Sequence, residues 1–406
     1  MKGPVAESRS DTSATAAPVR RRPRDRKAQI VRAAARAFSE RGYHPVGIDE
    51  IAAELGISGP ALYRHFPNKY ALLVAAAEHV ANILSGAADS ADDPERTPTQ
   101  RIDAIVAALI AATVENRRDG GLYRWERRYL EPTDHKRIRS TFDAANDRVA
   151  APLRLLRPEL DSSDADLLAA AALSVIGSIT AHRTVLATSK VTDILTDSVW
   201  AILRVELPPR AAEPAERRTR APGFAVSSKR ELLINEALRV FSERGYHEAG
   251  VEEIGVAAGM NASSVYRYFP SKAELLSSAF YRAADRLAVA TGDALATAST
   301  TREALLTLAD RYVALAFANP ELLSVYFAEF GNLPAPERNQ LRVLQRQHVE
   351  EWVHLLADDR GTVETRFRVH AALGLVLDIG RLTGFDTRPE TVARVRSLMN
   401  AVLFAR

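Results

Sequence analysis

Apolar residues recur at steps of three and four along nearly the whole chain, the period of helices with one buried face. Ile30, Ala34, Ala37 and Phe38 share one face of a first helix, and Leu233, Ala237, Val240 and Phe241 trace the same face much later. Gly42 and Gly245 follow these stripes. Glycine accepts the positive φ of a helix C-cap at little cost, so both read as stops. Ile48, Ile51, Ala52 and Leu55 predict a short second helix, with Val251, Ile254 and Ala258 as its twin. Gly56 or Gly259 then makes a turn, and Ser58 or Asn261 is placed to cap a third helix. That helix sends Leu62 and Phe66, or Val265 and Phe269, inward. A fourth helix begins at Lys69 or Lys272, with Ser271 and Glu274 spaced as a capping box. Further amphipathic helices are expected near 99–116, 121–131, 134–157, 163–187 and 191–205, then near 301–317, 319–329, 335–358, 362–383 and 389–404. No segment sustains strand alternation, so the fold class is all-α.

The two stripes belong to a repeat. FSERGYH occurs verbatim at Phe38–His44 and Phe241–His247, and YRHFPNK at Tyr63–Lys69 returns as YRYFPSK at Tyr266–Lys272, 203 positions on. Lys27–Leu73 aligns with Arg230–Leu276 without a gap, and about 20 of 47 positions are identical. Solenoid units run to roughly 20–50 residues, so this spacing indicates two fused domains. A chain of 406 residues is long enough for them. The division expected is a basic arm at 1–24, a first head at 25–85, a first helical body at 86–207, a linker at 208–228, a second head at 229–288 and a second body at 289–406. The arm reads as disordered from its polar composition.

Composition narrows the function. Net charge is only +3, but eight Lys or Arg against three Asp or Glu fall between Met1 and Lys27. There is no cysteine, which removes disulfides and thiolate metal sites. No apolar segment precedes the N-terminal arginines, and the longest apolar stretch, Leu167–Ile179, falls short of the roughly 18 residues of a spanning helix. A cytoplasmic protein without membrane contact is the expectation. The chain lacks a glycine-rich phosphate loop, HExxH and GxSxG, and His135 and His182 stand alone, so neither an enzyme nor a cofactor or metal site is expected.

Two short helices around a glycine turn form a helix-turn-helix, here at 47–66 and 250–269, whose second helix can enter the DNA major groove. GYHPVGIDEIAAELGISGPALYRHFPNK and GYHEAGVEEIGVAAGMNASSVYRYFPSK resemble the N-terminal domain of the TetR family of bacterial repressors. The tandem arrangement resembles, more distantly, double-TetR repression of a mammalian-cell-entry lipid-import operon. The resemblance implies phosphate contacts by Tyr63, His65 and Lys69, and by Tyr266, Tyr268 and Lys272. It places Gly59, Pro60 and Ala61, and Ala262, Ser263 and Ser264, toward bases, and lets Arg64 and Arg267 reach a base or a phosphate.

This sequence departs from the family pattern at Gly47 and Gly250, where a Thr or Ser side chain often caps the second helix; only a backbone N–H is on offer here. The first base-facing trio has no side-chain hydrogen-bonding group and the second has two hydroxyls, so the two readers should prefer different sequences. Arg21, Arg22 and Arg24, and Arg217, Arg218 and Arg220, flank the motifs as minor-groove or phosphate contacts, or as plain solvated charge.

Trp125, Tyr129 and Phe142, with Tyr312, Phe317, Tyr326 and Phe327, fall where the resemblance implies a ligand pocket, although core packing accounts for such aromatics equally. Leu168–Ile179 and Ala371–Ile379 are almost wholly apolar and are expected to face each other within one chain, as family homodimer helices do. Together these features suggest a repressor in which one chain mimics a dimer on an asymmetric DNA operator, released by a small lipid-like effector. The alternative is a ligand- or protein-binding scaffold in which one or both heads are degenerate.

Overall fold

The structure is a computed structural model that describes residues 25–124, 129–210, 228–357 and 361–405. All regular structure among these residues is helical. The first head comprises α1 (Arg26–Arg41), α2 (Ile48–Glu54) and α3 (Gly59–Tyr63), followed by the long α4 (Lys69–Ala91). Its body is α5 (Pro98–Glu115), α6 (Pro132–Leu156), α7 (Ser162–Gly177) and α8 (Thr188–Leu203). The second head repeats the plan as α9 (Lys229–Arg244), α10 (Val251–Ala257), α11 (Ala262–Tyr268) and α12 (Lys272–Thr297). Its body is α13 (Thr301–Ala318), α14 (Pro320–Glu329), α15 (Ala335–Leu356), α16 (Thr362–Leu382) and α17 (Pro389–Leu403).

Three apolar cores result. Ile30, Phe38, Ile51, Leu62 and Phe66 close the first head against Leu72 and Leu73 of α4. Leu233, Phe241, Ile254, Val265 and Phe269 close the second against Leu275 and Leu276 of α12. The third core is common to both bodies. There α7 packs on α16, and α8 and α17 pack beside them. Alanines at 169, 171, 172, 371 and 372 are all buried, and small side chains allow close helix approach. Polar groups fix the register of this contact. Ser174 Oγ donates to Asp378 Oδ2 at 2.7 Å, Arg394 pairs with Asp164, and Lys190 lies 3.6 Å from Glu364. The rings of His182 and His370 stack at 4.3 Å.

Several local expectations need correction. Ser58 makes no side-chain cap on α3, whereas Asn261 accepts from Ser264 N–H at 2.8 Å. Ser271 caps α12 in one direction, and the two-way box occurs instead at Thr97 and Gln100. Where a helix is expected at 121–131, the described residues show a 3₁₀ turn at Gly120–Arg124, with 125–128 outside them; there the backbone comes so close to Ser39 and Thr180 that a Cβ on Gly121 or Gly120 would collide. Helix α7 stops at Gly177 rather than near 187. Beyond a short 3₁₀ turn the chain is held open by Arg117, which donates to the carbonyls of Ile179, His182 and Thr184. Two segments, Lys69–Ala91 and Ser162–Thr180, are long and apolar enough to cross a membrane by composition, contrary to the sequence expectation. Both place their apolar faces in the cores just described.

Leu168 is fully buried in the common core, so Leu168→Ala should cost about 2–5 kcal/mol. Because that core belongs to both bodies, urea unfolding followed by probes in either body should shift by the same amount.

Candidate nucleic-acid interface

Each head is braced by the same four contacts. At its start, Lys27 Nζ sits 5.6 Å over the Phe66 ring and the Arg230 guanidinium 4.9 Å over Phe269, tying the first helix to the end of the third. At its end, Arg41 pairs with Glu50 and Arg244 with Glu253, joining the first helix to the second. Gly56 and Gly259 adopt φ of 63° and 66° in the turn before the third helix, a left-handed bend that glycine makes without strain. Finally, Lys69 Nζ donates to His44 O at 3.0 Å and lies 4.6 Å above the Tyr43 ring; Lys272 Nζ donates to the equivalent His247 O at 3.3 Å, and also to Ala249 O at 3.0 Å, and lies 4.6 Å above Tyr246.

These braces push one surface outward. Tyr63 and Tyr266 are about half exposed, at 50% and 52%. Arg64, His65, Arg267 and Tyr268 are exposed beside them, as are Pro60 and Ser263. Ala61, Ala262 and Ser264 are half-buried. Gly59 does not face outward. It is buried, and a Cβ there would lie 2.0 Å from Asp49 Oδ1 of α2. Its role is to let α3 approach α2, so it leaves the set of base-facing residues. Gly47 and Gly250 stand at the N-caps of α2 and α10 without a side-chain cap. The two lysines are half-buried, and burial lowers their pKa values, with nearby carboxylates opposing. Bonded to carbonyls, they brace the loop before the second helix and leave their remaining donors for other acceptors. In the second head, Ser263 Oγ donates to Asn261 Oδ1 at 2.9 Å. The flanking arginines 21, 22, 24, 217, 218 and 220 lie outside the described residues.

Sequence reasoning missed the contact between the heads. The rings of His44 and His247, the last residues of the two FSERGYH copies, meet with centroids 4.6 Å apart. Tyr129 lies edge-on to His44 at 5.0 Å, and His247 Nε2 lies 2.9 Å from Asn332 Oδ1. The repeat itself was the signal, since a residue on a pseudo-twofold axis must meet its own copy.

The family profile described as "Bacterial regulatory proteins, tetR family" matches residues 30–76 and 233–279, the two braced tripods. Each head matches the helix-turn-helix profile of the TetR family. The HTH-type transcriptional activator FasR of Mycolicibacterium smegmatis is 37% identical over 135 residues, covering 32% of this chain and 59% of FasR. The HTH-type transcriptional regulator BetI of Brucella melitensis is 32% identical over 88 residues, covering 22% of this chain and 44% of BetI. This chain therefore spans about half the length of these relatives. Among solved structures, a TetR-family regulator from Bordetella parapertussis matches with 18% identity and a TM-score of 0.40, over 44% of this chain and 96% of that one. PfmR from Thermus thermophilus matches with 22% identity and a TM-score of 0.39, over 47% and 100%.

Below the TetR heads, a cavity of about 1800 Å³ opens between the bodies. Of the aromatics expected at a ligand pocket, only Phe142 is among its lining residues. Tyr129 packs on Tyr43 in the first head. Tyr312 stacks on His348, while Phe317 meets Phe385 and Tyr326 meets Phe280 edge to face, which makes these three packing residues. Phe327 lies beside Tyr326 and under Arg381. Trp125 lies outside the described residues.

Burial holds the pKa of His44 below its ordinary value, with repulsion from His247 and Lys69 adding and Glu248 opposing. A lowered folded-state value means that the contact is fully stable above the unfolded value of about 6.5 and weakens as pH falls below it. Energy transfer between dyes on the two TetR heads should drop on acidification from about pH 7.5 to 5.5. The pH dependence should shrink in His247→Ala, which removes one source of repulsion, and vanish in His44→Ala. Separately, Gly59→Ala should swing the exposed Asp49 carboxylate aside and change stability by less than about 1 kcal/mol, measured by denaturant melting, because a flexible side-chain end can yield and alanine favours the helix.

Proposed function

We propose that the chain is a sequence-specific transcriptional regulator in which one polypeptide takes the place of a homodimer on DNA. The observation that carries this reading is two braced tripods mounted on one common core, each presenting its third helix outward. Tandem heads on one rigid body could meet successive major grooves about 34 Å apart. Tyr63, Arg64 and His65, with Tyr266, Arg267 and Tyr268, would lie along the phosphates and groove edges. Pro60 and Ala61 would offer apolar contact, and Ser263 and Ser264 hydroxyls, to bases. The backbone N–H groups at Gly47 and Gly250, and the free donors of Lys69 and Lys272, would take phosphates, as the basic arms would.

The readers differ in chemistry, so the operator need not be a palindrome. We read the action as repression, relieved when a lipid-like effector favours a body conformation that misplaces the heads. FasR is named an activator, so the sign is decided by a reporter in a deletion strain. Control of lipid-import genes rests on the tandem resemblance alone. Such a regulator works in the cytoplasm. A second reading has the first head as scaffold, favoured by the short α3 of five residues whose outward trio is apolar or buried.

Footprinting on the chain's own upstream region should give one protected site with two unlike halves. A perfect inverted repeat would overturn the asymmetric reading, and protection by the second head alone would favour the scaffold. Lys69→Ala or Lys272→Ala should weaken all duplexes alike and reduce the salt slope by about 1, whereas Ser263→Ala with Ser264→Ala should change base preference.

A further inference from the structure

We propose that each chain holds a single amphipathic ligand, its apolar tail inside the first body and its anionic head at the mouth, where Arg394 of the second body meets it. The inner wall is apolar: Leu84 of α4, Leu109 of α5, and Ile138 and Phe142 of α6. At about 1800 Å³ the cavity exceeds the roughly 300–1000 Å³ of an ordinary small-molecule site, which suits a long tail. The outer wall comes from the other half, the end of α16 and the start of α17.

Among the described residues of the second body, side chains occupy the corresponding place. Leu109 and Ala145 line the cavity. Their counterparts 203 positions on are Tyr312 and His348, whose rings stack at 6.1 Å. Trp352, the counterpart of Val149, lies edge-on to both at 6.1 Å and is fully buried. Three rings fill the place where the first body carries only Leu109, Ala145 and Val149, of which the first two border the cavity. Burial pushes His348 down to about 4, as expected for an imidazole shut away from water.

Arg394 supplies the head-group chemistry. It lines the cavity, is 4% exposed, and pairs through Nη2 with Asp164. Its Nε and Nη1 have no partner among the described residues. A buried guanidinium with open donors is unfavourable, and acceptor oxygens are what it lacks. Among the carboxylates lining the cavity, Asp378 is held by Ser174 and Arg381, Asp386 by Arg388 and Thr391, and Glu390, whose Oε1 accepts no hydrogen bond, by an ion pair with Arg388 at 3.7 Å. The rim also holds strain. Phe385 lines the cavity with φ of 51°, unusual for a bulky residue, and rests on Phe317 at 5.5 Å. Ligand pressing on this turn would act on the second body directly. Binding follows from the cavity alone; only its effect on DNA rests on the regulator reading.

The test is calorimetric titration of the full chain with lauroyl-coenzyme A, laurate and methyl laurate. The expected result is one molecule bound per chain, with an anion at least about tenfold tighter than the neutral ester. Which anion wins distinguishes a phosphate head from a carboxylate. Arg394→Met should erase the preference, since Asp164 keeps Arg210 as partner, and Leu109→Tyr should abolish binding. Thermal melts check that both variants fold, and the anion–ester comparison on the unaltered chain stands without them. Two molecules per chain, equal binding of ester and anions, or no binding of any probe would overturn the proposal. Tight binding with no change in operator affinity would leave the site standing and remove its regulatory consequence.

Discussion

The contact of α7 with α16 is the constraint on which the rest depends. It joins the two bodies into one core, and through α4 and α12 it sets where each head stands. The interface is built from alanines and aliphatics, with the Ser174–Asp378 hydrogen bond and the Arg394–Asp164 pair fixing its register. Apolar burial of this kind is non-directional, so the few polar pins supply specificity of alignment more than net stability. Covalent linkage leaves the halves free to diverge, as the unlike third helices and the unequal bodies have done.

The heads were legible in the sequence because their tripods are local. Helical periodicity, glycine turns and verbatim FSERGYH identify them, and the apolar residues predicted to close the first core, Ile30, Phe38, Ile51, Leu62 and Phe66 among them, are buried, except Leu55, which is half-buried at the edge. What was not legible depends on neighbours distant in sequence. Gly59 stands among residues expected to face bases, yet Asp49 occupies the space a side chain would need. Lys69 and Lys272 read as pure phosphate ligands, but each also holds a carbonyl and covers a tyrosine ring. The end of α7 follows from Arg117, more than sixty positions away.

The same logic explains the bodies. Helical periodicity gives α5 and α6, and α13 and α15, at matching positions, but periodicity does not reveal volume. Only the folded arrangement shows that Leu109 and Ala145 leave room while Tyr312, His348 and Trp352 fill it. The halves thus share one scaffold and differ in what its interior admits. The tilted rings of His44 and His247, 4.6 Å apart, meet between them.

Native mass spectrometry of the chain on its own upstream duplex tests the central claim most directly. A covalent pseudo-dimer predicts one chain per occupied site, with both heads engaged. Two chains per site, each using a single head, would contradict it.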